Sequence, residues 1–201
     1  MNKKFIAIID NSGANLASVE AAFARLDMHT LVTNDQQKIL EADYVVLPGV
    51  GAAGYAMQKL NDQKLSNLIR QLQQPTLAIC LGQQLLCASS DEDQAQCLNI
   101  IPTKVVKLHN IRIIPHMGWN NLSHIQQDDP LLKGVTEQDN FYFVHGFAPE
   151  IKQPYTLASC HYGIPFAAVI KKDNFYGVQF HPEKSGTAGV KLLKNFLSLV
   201  S

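Results

Sequence analysis

Charge is scarce in this chain. Seventeen acidic and 17 basic side chains in 201 residues leave 17% charged and a formal net charge of zero. A neutral surface exerts no long-range pull on nucleic acid or on an anionic membrane, so neither is expected as a partner. No apolar run reaches the length of a membrane span. Met1-Asn2-Lys3-Lys4 passes straight into a strand pattern, without the apolar core or cleavage site of a secretory leader. Cysteine is also sparse. Cys80, Cys87, Cys97 and Cys160 show no CxxC and no regular spacing, which suits reduced thiols in a cytoplasmic protein and offers no zinc-ligand pattern. No metal and no cofactor is expected. No linker rich in Pro, Gly or Ser and no internal repeat divides the chain, so one domain over 1–201 is expected. Apolar residues make up 46%, enough to exclude disorder and to build a sizeable core.

The apolar residues are arranged in two styles. Phe5 to Ile9 reads as a buried strand, followed by the loop Asp10 to Asn15. A helix then carries Leu16, Val19, Ala22, Phe23 and Leu26 on one face. Met28 to Val32 is the next strand, Thr33-Asn34-Asp35 a turn and helix cap, and Tyr44 to Leu47 a third strand. Such alternation predicts a parallel sheet with right-handed crossovers. From about Ile100 the pattern changes to short strands: Thr103–Leu108, Ile111–Ile114, Asn140–Val144, Tyr155–Cys160, Phe166–Ile170 and Phe175–Gln179. Lys172-Asp173-Asn174 reads as a hairpin loop. The expected fold is therefore α/β: a mostly parallel central sheet flanked by helices, with an added antiparallel or mixed strand region. Thr187 to Leu199 predicts a closing amphipathic helix. The polar stretch Ser89 to Gln94, with its acidic triplet Asp91-Glu92-Asp93, reads as solvated surface with no part in chemistry.

Chemistry concentrates where strand gives way to helix. The run Thr76-Leu77-Ala78-Ile79 ends at Cys80, and Leu81, Gln84, Leu85 and Leu86 follow at helical spacing. A cysteine on such a turn is held out of the sheet. A helix N-terminus favours thiolate over thiol, and the N–H of the next residue, Leu81, can receive an oxyanion. Gly82 removes a side chain where the elements crowd. A second glycine loop, Pro48-Gly49-Val50-Gly51, leaves another strand at the same sheet edge, where ligands of such sheets bind. His181-Pro182-Glu183 follows a strand end, and Glu183 can orient His181 toward a nucleophile. Alone, these stretches also read as a buried core cysteine, a tight turn and a surface loop. The only Trp, Trp119, lies in Pro115-His116-Met117-Gly118-Trp119-Asn120 and suits either core or a partner anchor. His145, in Phe141 to Phe147, is expected to be hydrogen-bonded internally.

Ile79-Cys80-Leu81-Gly82-Gln83-Gln84-Leu85-Leu86 with Gln179-Phe180-His181-Pro182-Glu183 resembles the class I, triad-type glutamine amidotransferases. Four further stretches narrow the likeness: Leu47 to Gly51, Pro115 to Asn120, Tyr142 to His145, and Gly177 to Ser185. Within the family they resemble the glutaminase subunits of imidazole glycerol phosphate synthases. The resemblance implies that Cys80 attacks the side-chain amide of L-glutamine, that His181 moves the proton and that Glu183 orients His181. It implies an oxyanion hole at Leu81 and the loop Gly49, Val50 and Gly51. Gln84, Gly51, Gly146 and Phe147 would hold the substrate. Ammonia would pass to a (β/α)₈ cyclase subunit, with Asn11, Asn15, Trp119 and Lys184 as candidates for the interface. The chain departs from the family pattern at Ala78 (usually Gly), Gln83 (usually Met), the Cys97 to Ile100 region and Gly146-Phe147 (usually Ser or Thr, then Tyr). A glutaminase serving another acceptor, such as surface-sugar amidination, and a free-standing γ-glutamyl hydrolase remain open alternatives.

Overall fold

In a computed structural model, the described residues are 4–11 and 15–200. The first half alternates strand and helix: β1 (Phe5–Ile8), α1 (Leu16–Ala24), β2 (His29–Val32), α2 (Gln36–Glu41), β3 (Tyr44–Gly49), α3 (Ala53–Asp62), α4 (Leu65–Arg70), β4 (Thr76–Cys80) and α5 (Leu81–Leu86). The second half is mostly strand: β5 (Ser89–Ser90), β6 (Lys104–Lys107), β7 (His116–Asn121), β8 (Asn140–His145), β9 (Phe147–Pro149), β10 (Thr156–Tyr162), β11 (Ile164–Lys172) and β12 (Phe175–Val178). Helix α6 (Gly186–Leu197) follows.

Seven strands form the main sheet in the order β10-β11-β12-β4-β3-β1-β2. From β12 to β2 every pairing is parallel, while β10 and β11 extend the sheet antiparallel. The α/β expectation holds, including the antiparallel extension and the Asp173-Asn174 turn that joins β11 to β12. Both faces of the sheet are covered, which is why its central strands read as unbroken apolar runs. Successive residues alternate between two cores: Ile6, Val46 and Leu77 pack with Phe23 of α1 and Phe196 of α6, while Ala7, Leu47 and Ala78 pack under α3, α4 and α5. Asp35 caps α2 as expected, its carboxylate accepting from Gln37 N–H at 2.9 Å and Lys38 N–H at 3.2 Å.

Three segments differ from expectation. Ile111–Ile114 is not a strand, because Ile113 and Ile114 are 67% and 44% exposed and no neighbouring strand pairs with them. The strand is the next segment, β7, which pairs antiparallel with β8. Its polar residues and Gly118 hide the alternation that buries His116 and exposes Met117 and Trp119. Ser89-Ser90, expected as exposed loop, is β5, paired with β6, and Ser90 is buried. Of the loop Asp10 to Asn15, residues 12–14 lie outside the described residues, as do residues 1–3 of the N-terminus.

Candidate active site

Cys80 ends β4 with φ 56° and ψ −110°. A non-glycine residue in that region costs on the order of 1–3 kcal/mol and persists only where its surroundings enforce it. Here they do. A Cβ at Gly82 would lie 1.9 Å from the Leu47 carbonyl oxygen, so the elbow closes against β3 only with glycine there. Ala78 adds its methyl at this contact, 3.6 Å from the same Cβ position, and the packing accommodates it. Helix α5 has only six residues. Its contribution is therefore the unpaired N–H groups of its first turn more than a long macrodipole.

The 3-10 turn after β12 brings His181 to the cysteine. The backbone N–H of His181 donates to Tyr142 O at 2.8 Å, and its carbonyl accepts from Ser185 Oγ at 2.6 Å, so both ends of the residue are pinned. Its Nδ1 lies 2.8 Å from Glu183 Oε1, and the residue lines the same cavity as Cys80. Burial alone would lower the imidazole pKa. The hydrogen bonds and charges of Cys80 and Glu183 outweigh it and raise the value to about 10, so His181 holds its proton at neutral pH. The Glu183 side chain is 1% exposed. Asn15 Nδ2 donates to Glu183 Oε1, extending the line to four residues.

A cavity of about 230 Å³ opens above Cys80. Val50, Gly51, Leu81, Gln84, Gly146 and Phe147 line it, with Lys184 exposed at its edge. Gly49 sits one layer back, paired with Cys80 across β3 and β4. Gly51 has φ +91°, a left-handed conformation open to glycine at no steric cost. Gln84 Nε2 donates to Phe147 O at 2.8 Å, and the Gly146 carbonyl accepts from Leu108 N–H at 2.9 Å. Both carbonyls are thus engaged within the protein. Gln83 points away from the cavity; it is fully buried and its Nε2 lies 3.3 Å from Ala167 O.

Of the four residues expected at a partner surface, Asn11 is the one buried out of reach. Asn15 lines the cavity and holds the acid of the triad. Trp119 is 58% exposed, edge-on to Tyr142 at 5.8 Å. It has exposed apolar neighbours that the sequence reading did not single out, Ile113, Ile114 and Met117. Ile114 packs near Gly146, 3.5 Å from where a Cβ of that glycine would be.

Glu92 was missed, and the solvated-surface reading of the acidic triplet is corrected. Its carboxylate lines the cavity and accepts from Ala53 N–H at 2.9 Å. Burial raises its pKa, partly opposed by that hydrogen bond. Asp93 accepts from Gly54 N–H at 3.2 Å, and Asp91 pairs with Lys104 at 2.7 Å. One signal for Glu92 was legible. Helix α3 starts after Ala52, which has no side chain to cap it, so its free N–H groups require an acceptor from another part of the chain.

The model of the family "Glutamine amidotransferase class-I" matches residues 7–200. The chain belongs to the class I glutamine amidotransferases. It is 48% identical over 198 residues to an imidazole glycerol phosphate synthase subunit HisH 2 of Legionella pneumophila (strain Lens), covering 98% of each chain. It is 45% identical to the subunit HisH of that synthase from Salmonella typhimurium, covering 96% of this chain and 99% of the relative. Among solved structures it is similar in fold to a putative GMP synthase protein of Thermoplasma acidophilum. The TM-score is 0.78 at 22% identity, over 100% of this chain and 95% of that one. As a member of this family the chain is an enzyme, a glutamine amidotransferase. Among the described residues, no helix is long and apolar enough to cross a membrane.

Proposed function

We propose that this chain is the glutaminase subunit of an imidazole glycerol phosphate synthase, working in the cytoplasm in histidine biosynthesis. The observation that carries the reading is the line Glu183–His181–Cys80 at the foot of a cavity, on a chain 45–48% identical to HisH subunits across nearly their whole length.

The chemistry follows from the positions. The Cys80 sulfur attacks the side-chain amide carbon of L-glutamine. The C–S bond forms as the carbonyl π pair moves to oxygen. The Leu81 N–H receives that oxyanion, joined by an N–H of the loop Gly49 to Gly51; a donor of this kind typically contributes about 3 kcal/mol to the transition state. His181, protonated at neutral pH, gives its proton to the departing nitrogen, and the C–N bond breaks to release ammonia. A water, deprotonated by the now neutral imidazole, hydrolyses the thioester to glutamate. Glu183, held by Asn15, keeps the imidazole oriented. At the amino-acid end, Glu92 is the carboxylate for the α-ammonium group. Lys184 and the N–H groups of Gly51, Gly146 and Phe147 face the α-carboxylate, with Gln84 alongside.

Ammonia in neutral water is mostly protonated and a poor nucleophile, so it has to reach its acceptor without meeting solvent. A (β/α)₈ cyclase subunit docked over the cavity meets that need. The exposed apolar group Ile113, Ile114, Met117 and Trp119, which comes near the cavity-lining Gly146 through Ile114, is the docking surface of this reading, with Lys184 at the cavity edge. The test is Cys80→Ala in the complex. Glutamine-dependent synthesis should vanish while synthesis from added ammonia persists. Survival of the glutamine-dependent reaction would refute the assignment of the nucleophile.

A further inference from the structure

Two lines of hydrogen bonds meet at the Phe147 carbonyl, and one of them continues through buried side chains to the nucleophile. The other starts at Asn120 on β7. Asn120 Oδ1 accepts from Asn121 N–H at 2.9 Å, which leaves its amino group for the His161 carbonyl at 3.2 Å and His116 Nε2 at 3.4 Å. With Nε2 accepting, His116 carries its proton on Nδ1 and donates to His145 Nε2 at 3.0 Å. His145 then donates from Nδ1 to the Phe147 carbonyl at 2.9 Å. Gln84 Nε2 donates to the same oxygen at 2.8 Å. A carbonyl only accepts, so Gln84 has to turn its amino group that way. The second N–H of that amino group reaches Gln179 Oε1 at 3.1 Å. The Gln179 amino group therefore lies on the opposite side, 3.8 Å from Cys80 Sγ.

We infer that Gln179 is a further catalytic residue: its carboxamide N–H, held in one orientation by Gln84, donates to the Cys80 sulfur and favours the thiolate over the thiol. This rests on Cys80 being the nucleophile. Besides the charge of His181, two opposed groups meet the sulfur. The Val144 carbonyl, 3.6 Å away, accepts a thiol proton and favours the neutral form. Gln179 is the carboxamide that opposes it. Gln179 is fully buried, where a hydrogen bond to an ionised partner is stronger than in water. Flipping its carboxamide would set its oxygen against the sulfur and its amino group against that of Gln84, losing both bonds. The direction is set by the Phe147 carbonyl, and the histidines beside it stay neutral. Burial lowers His116 to about 4 and, with the charges of His116 and His181 adding to it, His145 to about 3, so neither gains a second proton near neutral pH.

The test is the rate of iodoacetamide alkylation of Cys80 in the full chain across pH, with Cys80→Ala as the blank. Cys80 lines the cavity and the other three cysteines do not, and burial raises Cys97 to about 11 and Cys160 to about 12 and holds Cys87 well above its ordinary value, so they react slowly. Gln179→Met removes the donor at similar size. Gln179→Glu keeps shape and the acceptor for Gln84 but sets a carboxylate against the sulfur. The other titratable groups around the cavity, namely His181, Glu183, His145, Glu92 and Lys184, are the same in each variant. The alkylation profile should move to higher pH by about one unit in Gln179→Met, a fall of about tenfold in rate on its acid side and the equivalent of one charge-assisted hydrogen bond, and further in Gln179→Glu. Glutaminase kcat in the cyclase complex should fall in parallel, with KM within about twofold. A wild-type alkylation profile in a folded variant, or a loss confined to KM, would overturn the inference and leave Gln179 as a support for Gln84. If Gln179→Met does not fold, the isosteric Glu variant decides alone. A wild-type chain whose Cys80 resists alkylation would overturn the nucleophile assignment as well.

Discussion

At the scale of single residues, the site is built from polar side chains that serve two neighbours at once. Glu92 illustrates this, since one carboxylate serves both the start of α3 and the cavity. Glu92→Gln keeps an oxygen for Ala53 N–H but removes the charge that would meet an α-ammonium group. KM for glutamine should rise at least about tenfold with kcat little changed, the signature of lost uniform binding; an unchanged KM would remove Glu92 from the substrate site. The histidines impose opposite pH dependences. His181 is raised from 6.5 to about 10, so its contribution to stability is complete below pH 6.5 and is lost as pH climbs toward 10. His116 and His145 are lowered from 6.5 to about 4 and about 3. Below pH 6.5 the unfolded chain takes protons that the folded one refuses, so stability falls with acid. The drop in melting temperature between pH 6.5 and 4 should be smaller in His145→Gln than in wild type. Equal slopes would mean that His145 titrates normally.

At the scale of elements, the elbow between β4 and α5 depends on β3 as much as on its own residues. Gly82→Ala places a methyl against the Leu47 carbonyl, and the strand or the helix then has to move. A loss of about 3 kcal/mol or more is expected in denaturant unfolding, at the upper end for overpacking; a loss under about 1 kcal/mol would show that the elbow yields. This junction was readable because a buried apolar run, a cysteine and a glycine follow one another within seven residues, from Thr76 to Gly82. The triad was readable for a related reason: His181, Pro182 and Glu183 are adjacent, and only their distance from Cys80 needed the fold. What depended on long-range packing was not readable. Strand β7 is hidden by Gly118 and its asparagines, and it is a strand because β8 pairs with it residue for residue from His116 to Asn121. The burial of Asn11 depends on what lies over it, and no local pattern announces that. Gln179 stood inside a motif, but its role needs the orientation of Gln84, 95 positions away in sequence.

At the scale of the whole molecule, catalysis and docking fall on neighbouring elements in the proposed reading. The ribbon β7–β8 carries Trp119 and Met117 on its exposed side and His116, Phe143 and His145 on its buried side. The same ribbon holds the His181 backbone through the Tyr142 carbonyl. Trp119→Ala should weaken the cyclase complex by about 2 kcal/mol or more, roughly thirtyfold in Kd, as large aromatic anchors do. Glutamine hydrolysis by the isolated chain should be unaffected. An unchanged Kd would move the interface off this ribbon. The central claim is that the site delivers ammonia to a partner. The direct measurement is glutamine hydrolysis by the chain alone, then with the cyclase and its nucleotide substrate. The account predicts a low rate alone and a large stimulation in the complex, abolished in Cys80→Ala. A high rate without the partner, unchanged on adding it, would contradict the account and identify a free-standing γ-glutamyl hydrolase.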